Sequence, residues 1–351
     1  MPFMFHLKSI VKNNTKIIIN KNFQKYLLSY IKKVQPSKIV YITDKSLYPI
    51  LKRKISLKNK QVFILKKGEE EKNFLNFEKI LKFYFASNID KTSLIIAFGG
   101  GMILDIAGFT SSVYYRGIPI IYIPTSLLSQ VDAAIGGKNT INFNKTKNIL
   151  GTVYLPQLIL IDPTLLDTLP QKQFFSGMAE IIKYSIGFDR ELFKIITTQN
   201  INAKLLTKLI KQCVSIKIKL VARDIYEQGA TRKLLNLGHT LGQALESENT
   251  YSLGHGEAVS IGLKFASFIS YRKGNITKSD FDNILDVLKK YNLPPKIKFE
   301  KEKILNKIKF DKKRCGNYIN FVLLKSIGKA YLCKLSFKNI RRHLYEFQKI
   351  Y

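Results

Sequence analysis

Cysteine is scarce in this chain. Cys213, Cys315 and Cys333 are all there are, and no two form a C-x-x-C pair. That removes a disulfide framework and leaves free thiols in a reducing cytoplasm as the reading. Long apolar stretches are also missing: no run approaches the roughly 18 residues that span a bilayer, so a soluble protein with no membrane partner is expected. The opening MPFMFHLKSIVKNN lacks the apolar core of a signal peptide, because Lys8 and polar residues interrupt it. Acidic residues are the minority, 25 against 58 Lys and Arg, for a net charge of +33. Such a balance raises nucleic-acid binding. The lysines, however, are scattered through nearly every element, with no long basic block and no interleaving of Arg with aromatics. They accompany heavy use of Ile, Asn, Phe and Tyr, as AT-rich coding would produce. No specific nucleic-acid partner is expected, only adventitious RNA binding at low salt.

At 351 residues the chain suits two domains with sizeable cores. Its first half alternates short β-branched runs with amphipathic stretches. Strands are expected at Ile17–Ile19, Lys38–Ile42, Gln61–Leu65, Leu94–Phe98, Ile118–Ile123 and Leu158–Ile161, and helices at Phe23–Val34 and Phe74–Ala86. This alternation predicts an α/β domain, a Rossmann-like parallel sheet with helices on its faces. After Asp162-Pro163 the strand signals stop. Helical periodicity dominates from Gln171 to about Asn292, followed by a short mixed tail around Tyr318–Leu332. The expectation is an N-terminal α/β domain over 1–165 and an all-α domain over 166–351, with the boundary near Asp162–Pro170. No internal repeat is present.

The richest segment runs from Leu94 to Gly151. The apolar run Leu94–Phe98 leads straight into Gly99-Gly100-Gly101 and then a helical pattern. Strand, glycine turn and helix is how α/β proteins seat a pyrophosphate, with backbone N–H groups and the helix dipole facing the anion. Gly136-Gly137 follow, joined to Lys138, and then Lys147 and Asn148. By itself a glycine triplet is weak evidence, since glycine turns end many strands.

Chemistry in the second half rests on Glu180, His239 and His255. The chain has only four histidines, and these two follow glycine and precede apolar helical runs, in LLNLGHTLGQALE and YSLGHGEAVS. Glu180 lies in SGMAEIIKYS, with Lys183 on its helix face. Two imidazoles and a carboxylate are a usual set for a catalytic zinc with an open position. No short spacing links them, so structural histidines and a solvated glutamate fit the residues equally well.

Taken whole, the string from Leu94 to Gly151, with GEEEK at Gly68–Lys72 and FDKK at Phe310–Lys313, resembles the signature of the 3-dehydroquinate synthase family. The resemblance covers nearly the full chain. It implies an NAD-dependent and metal-dependent cyclase of the shikimate pathway, which leads to chorismate and the aromatic amino acids. The substrate it implies is a sugar-acid phosphate, 3-deoxy-D-arabino-heptulosonate 7-phosphate, and the products are 3-dehydroquinate and phosphate, making the enzyme a carbon–oxygen lyase. The implied course is oxidation by NAD, β-elimination of phosphate, return of the hydride, ring opening and an internal aldol closure. The metal, zinc or cobalt, falls on Glu180, His239 and His255.

The same motifs place NAD on Asp44, Gly68, Glu69, Glu70, Glu71 and Lys72; on Gly100, Gly101, Met102, Ile103, Leu104 and Asp105; on Thr125 and Ser126; on Lys138 and Lys147; and on Leu165, Leu166, Asp167 and Thr168. Its pyrophosphate is expected on Gly99–Gly101, in the cleft between the domains. The implied catalytic and substrate contacts are Arg116, Asp132, Lys138, Asn148, Lys183, Lys217, Arg232, Asn236 and one of Lys312 or Lys313, with Lys313 preferred. A homodimer is also implied. A divalent ion with two imidazoles and one carboxylate leaves about +1 at that centre, and the substrate brings about −3, so several Lys and Arg are needed.

The chain departs from the family pattern in places. Leu104 replaces a glycine, Lys67 stands where an aspartate often precedes Gly68, Ser126 replaces threonine, and Tyr226 replaces the arginine of D-E-R-E, with one extra residue between Gly229 and Arg232. Gln243 replaces a third histidine, which touches proton transfer and not the metal set. Alternatives on the same fold are another sugar-phosphate cyclase and a glycerol-type dehydrogenase. A non-enzymatic nucleic-acid binder is the rival from another class.

Overall fold

The computed structural model describes residues 2–7, 15–57, 61–144, 146–248, 253–293, 299–309 and 314–350. The chain divides into two compact units, Met1–Pro170 and Gln171–Tyr351.

The first unit carries strands β1 (Phe3–Leu7), β2 (Thr15–Ile19), β3 (Ile39–Asp44), β4 (Gln61–Leu65), β5 (Leu94–Gly99), β6 (Ile120–Pro124), β7 (Lys138–Phe143), β8 (Thr146–Val153) and β9 (Leu158–Ile161). Its helices are α1 (Phe23–Val34), α2 (Tyr48–Lys54), α3 (Phe74–Ala86) and α4 (Gly101–Val113). Seven strands form one sheet in the order β1-β2-β9-β6-β5-β3-β4. All its pairings are parallel except β1 on β2. The run LIIAFG of β5 is buried at every position, which is why it reads as continuous apolar sequence and not as alternation. Phe23 and Leu27 of α1 and Leu51 of α2 pack on Tyr41, Ile96, Phe98 and Ile121 of the sheet. Burying each such side chain is worth about 1.5–3 kcal/mol.

Local signals set several boundaries. Asn22 Oδ1 accepts from Lys25 N at 3.2 Å to cap α1, and Asn73 Oδ1 accepts from Asn76 N at 2.9 Å to cap α3. Each satisfies one of the N–H groups a helix start leaves unpaired. Helices α1 and α3 and strands β4 and β9 have the expected limits. Three strands were not foreseen. β1 is an edge strand, and β7 and β8 form a separate antiparallel hairpin in which Lys, Asn and Gly, residues depleted in strands, interrupt the β-branched ones.

The second unit holds α5 (Gln171–Phe188), α6 (Arg190–Thr198), α7 (Ala203–Ala222), α8 (His239–Glu248), α9 (His255–Arg272), α10 (Lys278–Lys290), α11 (Lys301–Lys309) and α12 (Phe337–Ile350). The expectation of an all-α domain is corrected in one respect. An antiparallel sheet of β10 (Arg314–Cys315), β11 (Tyr318–Ser326) and β12 (Lys329–Ser336) lies in it. What looked like a mixed tail is a hairpin whose apolar centre, Phe321–Leu324, is buried. Phe321 meets Phe265 of α9 with ring centroids 6.1 Å apart, and Gly328 N donates to Ile186 O of α5 at 2.8 Å. The sheet braces two helices, so its residues were selected by packing that helical periodicity does not report. Among the described residues no helix is long and apolar enough to cross a membrane, and neither Cys213 nor Cys333 is in a disulfide.

Candidate active-site residues

In the second unit two close helix contacts build the cluster. Gly256 sits where α9 meets α5: a Cβ there would lie 2.3 Å from Ser176 Cα, and Gly256 N donates to Ser176 Oγ at 3.0 Å. His255 precedes Gly256, and Glu180 stands one turn beyond Ser176 on α5, so this approach brings them together. On the other side a Cβ at Gly262 would lie 1.8 Å from Gly238 O. That contact presses the start of α8, and with it His239, against α9.

The result is a group of three potential metal ligands whose donor atoms lie within 4.8 Å of one another: Glu180, His239 and His255. Glu180 is fully buried. Its Oε1 faces His255 Nε2 at 3.2 Å and His239 Nε2 at 3.5 Å, while its Oε2 meets the ammonium of Lys183. His239 Nδ1–H donates to Leu237 O at 3.0 Å; a carbonyl only accepts, so the Nε2 lone pair points at Glu180. Burial and the nearby Lys183 hold the His239 pKa down at about 4. Burial also opposes charge on His255, but hydrogen bonds to Glu180 and Glu246 outweigh it and hold its pKa up at about 10. Two lone-pair donors, His239 Nε2 and Glu180 Oε1, thus face each other at 3.5 Å, an arrangement that a cation resolves. The donor set fits a divalent ion of the zinc type.

Three of the expected substrate contacts in this unit are buried cations. Among the described residues five Lys and Arg side chains are buried: Lys72, Lys183, Lys217, Arg232 and Lys264. Burying a charge is costly unless it meets a partner, so the solvated-surface reading that fits most lysines here does not fit these. The Arg232 guanidinium donates to Ile225 O, and Asn236 Nδ2 donates to Glu227 Oε1 at 2.9 Å. Lys313, like Lys312, lies outside the described residues.

In the first unit, Gly99–Gly101 join β5 to α4. Gly100 is the N-cap and no side chain caps this helix, so its first N–H groups are directed out of the N-terminus. A Cβ at Gly100 would find nothing nearer than Ser126 Oγ at 3.5 Å, and one at Gly101 nothing nearer than Ala133 Cβ at 3.5 Å. Internal packing therefore does not demand glycine at Gly100 or Gly101, whereas a Cβ at Gly99 would lie 2.5 Å from Ile103 Cβ. The bare backbone leaves a cradle, which fits a pyrophosphate. Leu104 is taken up in the core with Ile103.

Lys72 is a hub close by. Its Nζ contacts Asp105 Oδ2 and Glu69 Oε1, both at 2.9 Å, and Asn148 Oδ1 at 2.6 Å. Burial opposes its charge, yet Asp105 and Glu69 outweigh that and keep its pKa above the ordinary lysine value. Thr140 Oγ1 lies 3.1 Å from Asp105 Oδ2 and 2.8 Å from Asn148 Oδ1, and Asn142 Oδ1 accepts from Asn148 N at 3.0 Å. Residues expected to serve cofactor (Glu69, Lys72, Asp105) and substrate (Asn148) therefore share one network.

Several of the other expected positions of this unit have partners of their own. Asp44 ends β3, with Oδ1 accepting from Ser46 N at 2.8 Å. Glu69–Glu71 form a short 3-10 turn after Gly68. Thr125 N donates to Gly99 O at 3.0 Å, Ser126 Oγ meets Ser129 Oγ at 2.8 Å, and Asp132 lies in a π-helical turn. Arg116 and Lys138 are exposed, Lys147 is half-buried, Leu165 and Leu166 are buried, and Asp167 and Thr168 are exposed.

A family model described as 3-dehydroquinate synthase N-terminal matches residues 62–176, and one described as 3-dehydroquinate synthase C-terminal matches residues 177–314. The chain belongs to the 3-dehydroquinate synthase family. A relative of that name from Campylobacter concisus is 38% identical over 317 residues, 90% of this chain and 90% of the relative. Another, from Pseudoalteromonas translucida, is 37% identical over 84% of this chain and 85% of its own length. Two solved structures share the fold of this family member. A 2-deoxy-scyllo-inosose synthase complexed with carbaglucose-6-phosphate, NAD+ and Co2+ matches with a TM-score of 0.85 at 23% identity, covering 98% of this chain and 100% of its own. A 2-epi-5-epi-valiolone synthase from Streptomyces hygroscopicus, with NAD+ and Zn2+ bound, matches with a TM-score of 0.87 at 22% identity, covering 99% and 100%.

Sequence reasoning missed Glu246, Thr140 and Asn142. Glu246 had a signal: it lies seven residues after His239, on the same face of α8. Thr140 and Asn142 had none, because the hairpin that presents them was not recognised.

Proposed function

We propose that this chain is a 3-dehydroquinate synthase, converting 3-deoxy-D-arabino-heptulosonate 7-phosphate to 3-dehydroquinate and phosphate. The observation that carries the reading is the Glu180, His239 and His255 cluster, flanked by the buried cation Lys183, in a member of this family. Glu180, His239 and His255 would hold a divalent ion, which would supply Lewis acidity toward an alcohol or carbonyl oxygen, and the Gly99–Gly101 turn would hold the pyrophosphate of NAD, which would supply hydride transfer.

The chain's own residues do the rest. Lys183, Lys217 and Arg232 supply positive charge for the substrate's phosphate and carboxylate, and their burial strengthens each interaction. In the first unit, Arg116, Asp132, Lys138 and Asn148 are the polar side chains for which family membership supports a substrate contact. Lys72 keeps Asp105 and Asn148 in register. Gln243 donates and accepts hydrogen bonds but moves no proton near neutral pH, so the proton leaving at the elimination step goes to another base, for which the substrate's phosphate is suited. Family membership supports a cytoplasmic location and a homodimer without a specific nucleic-acid partner; light scattering checks the homodimer.

The test incubates the full-length protein with the heptulosonate phosphate, NAD and zinc or cobalt. Dehydroquinate and one phosphate per turnover, without accumulating NADH, is the expected result. Accumulating NADH points to a dehydrogenase, and turnover of a different sugar phosphate to another cyclase.

A further inference from the structure

The two imidazoles of the cluster are oriented by different partners. His239 is fixed by a main-chain oxygen, Leu237 O, through Nδ1 at 3.0 Å. His255 is fixed by a side chain: its Nδ1 lies 3.3 Å from Glu246 Oε2, and its Nε2 lies 3.2 Å from Glu180 Oε1. Glu246 is only 8% exposed, which is unusual for a carboxylate without a task. It comes from α8, whose first residue is His239, so one helix supplies a candidate ligand at its start and the support for the other candidate two turns later. An ionised carboxylate only accepts, so Glu246 takes the hydrogen of His255 Nδ1, and when an ion replaces the hydrogen that Nε2 shares with Glu180 Oε1, Nε2 is the nitrogen offered to it. A carboxylate in this place also makes the imidazole a stronger electron donor and locks the ring against rotation.

We propose that Glu246 is a positioning residue for the metal centre: it holds His255 in the tautomer and ring orientation that direct Nε2 toward Glu180 Oε1. The inference rests on the reading of Glu180, His239 and His255 as the metal ligands. Loss of such a supporting carboxylate costs about 10–100-fold in metal affinity in comparable sites.

Chelator competition with zinc on the full-length protein reads this directly, and the visible spectrum of the cobalt(II) form reads the ligand field. Glu246→Ala is expected to weaken zinc binding about 10–100-fold and to change the cobalt spectrum. Glu246→Gln keeps an acceptor without the charge and is expected to restore part of the affinity, which a merely structural role would not produce. Glu248→Gln, on the same helix, is the control and should bind as the parent does. His239→Ala and His255→Ala separate the two readings. If both keep stoichiometric zinc, the ligand assignment itself is wrong. If both lose zinc while Glu246→Ala binds it with parental affinity and an unchanged cobalt spectrum, the ligands stand and the role of Glu246 is overturned. Should Glu246→Ala fail to fold, as circular dichroism would reveal, Glu246→Gln decides: parental affinity and spectrum overturn the proposal, and a weakened, altered site supports it.

Discussion

Gly101 and Gly256 each sit at the first turn of a helix in a candidate site, one in each unit, and they are glycine for opposite reasons. At Gly256 the missing side chain is occupied by the protein itself, since a Cβ would be 2.3 Å from the backbone of Ser176. At Gly101 the nearest atom to a Cβ would be 3.5 Å away, an ordinary contact, so packing within the protein does not require glycine there. The first unit presents backbone at the end of a parallel sheet, where strand and turn are contiguous in sequence. The second assembles side chains from three helices, with Glu180 and His255 75 residues apart. A site made of contiguous backbone tolerates change in its surroundings; a site made of converging helices depends on every contact that sets their spacing.

The largest expected effect tests the convergent site. His239→Ala leaves one imidazole and one carboxylate, and turnover should fall by roughly 10³-fold or more with loss of metal by elemental analysis. Full activity with stoichiometric metal would break the assignment. Next comes Lys72→Met in the first unit. It strands Asp105 and Glu69 beside a neutral side chain in a mostly buried setting, and should cost about 3 kcal/mol in urea unfolding. An unchanged midpoint would show that the hub contributes nothing to folding.

The glycines sharpen the contrast directly. Gly256→Ala should destabilise by about 1–3 kcal/mol, as overpacking does, and lose zinc in parallel. Gly101→Ala should change stability by less than about 1 kcal/mol while weakening NAD binding about tenfold by titration. If both variants lose stability equally, the distinction between a packing glycine and a binding glycine fails. The smallest effect concerns Gln243, four residues after His239 on α8. Gln243→His should change kcat less than about tenfold, or roughly 1.4 kcal/mol. A gain of about a hundredfold or more, the scale of general acid–base catalysis, would mean that a proton relay is missing from the parent.

Much of the first unit was readable along the chain. Apolar runs marked the six parallel strands because a doubly covered sheet needs continuous hydrophobic sequence. The hairpin of β7 and β8 was not readable, since its polar residues serve the network around Lys72 and dilute the strand signal. In the second unit the long helices were readable, whereas the β11 and β12 hairpin was hidden in a segment read as a mixed tail.

By itself the sequence determined the six parallel strands, the long helices, the glycine turn and the chemical identity of the candidate ligands, because each is encoded within a few consecutive residues. It could not decide that Glu180, His239 and His255 converge, that Glu246 supports His255, or that Lys72 joins Asp105 to Asn148. Those facts depend on how closely α5, α8 and α9 approach and on where a hairpin folds back. Such distances are set by side-chain volume across segments far apart in the chain, and only the packed structure fixes them.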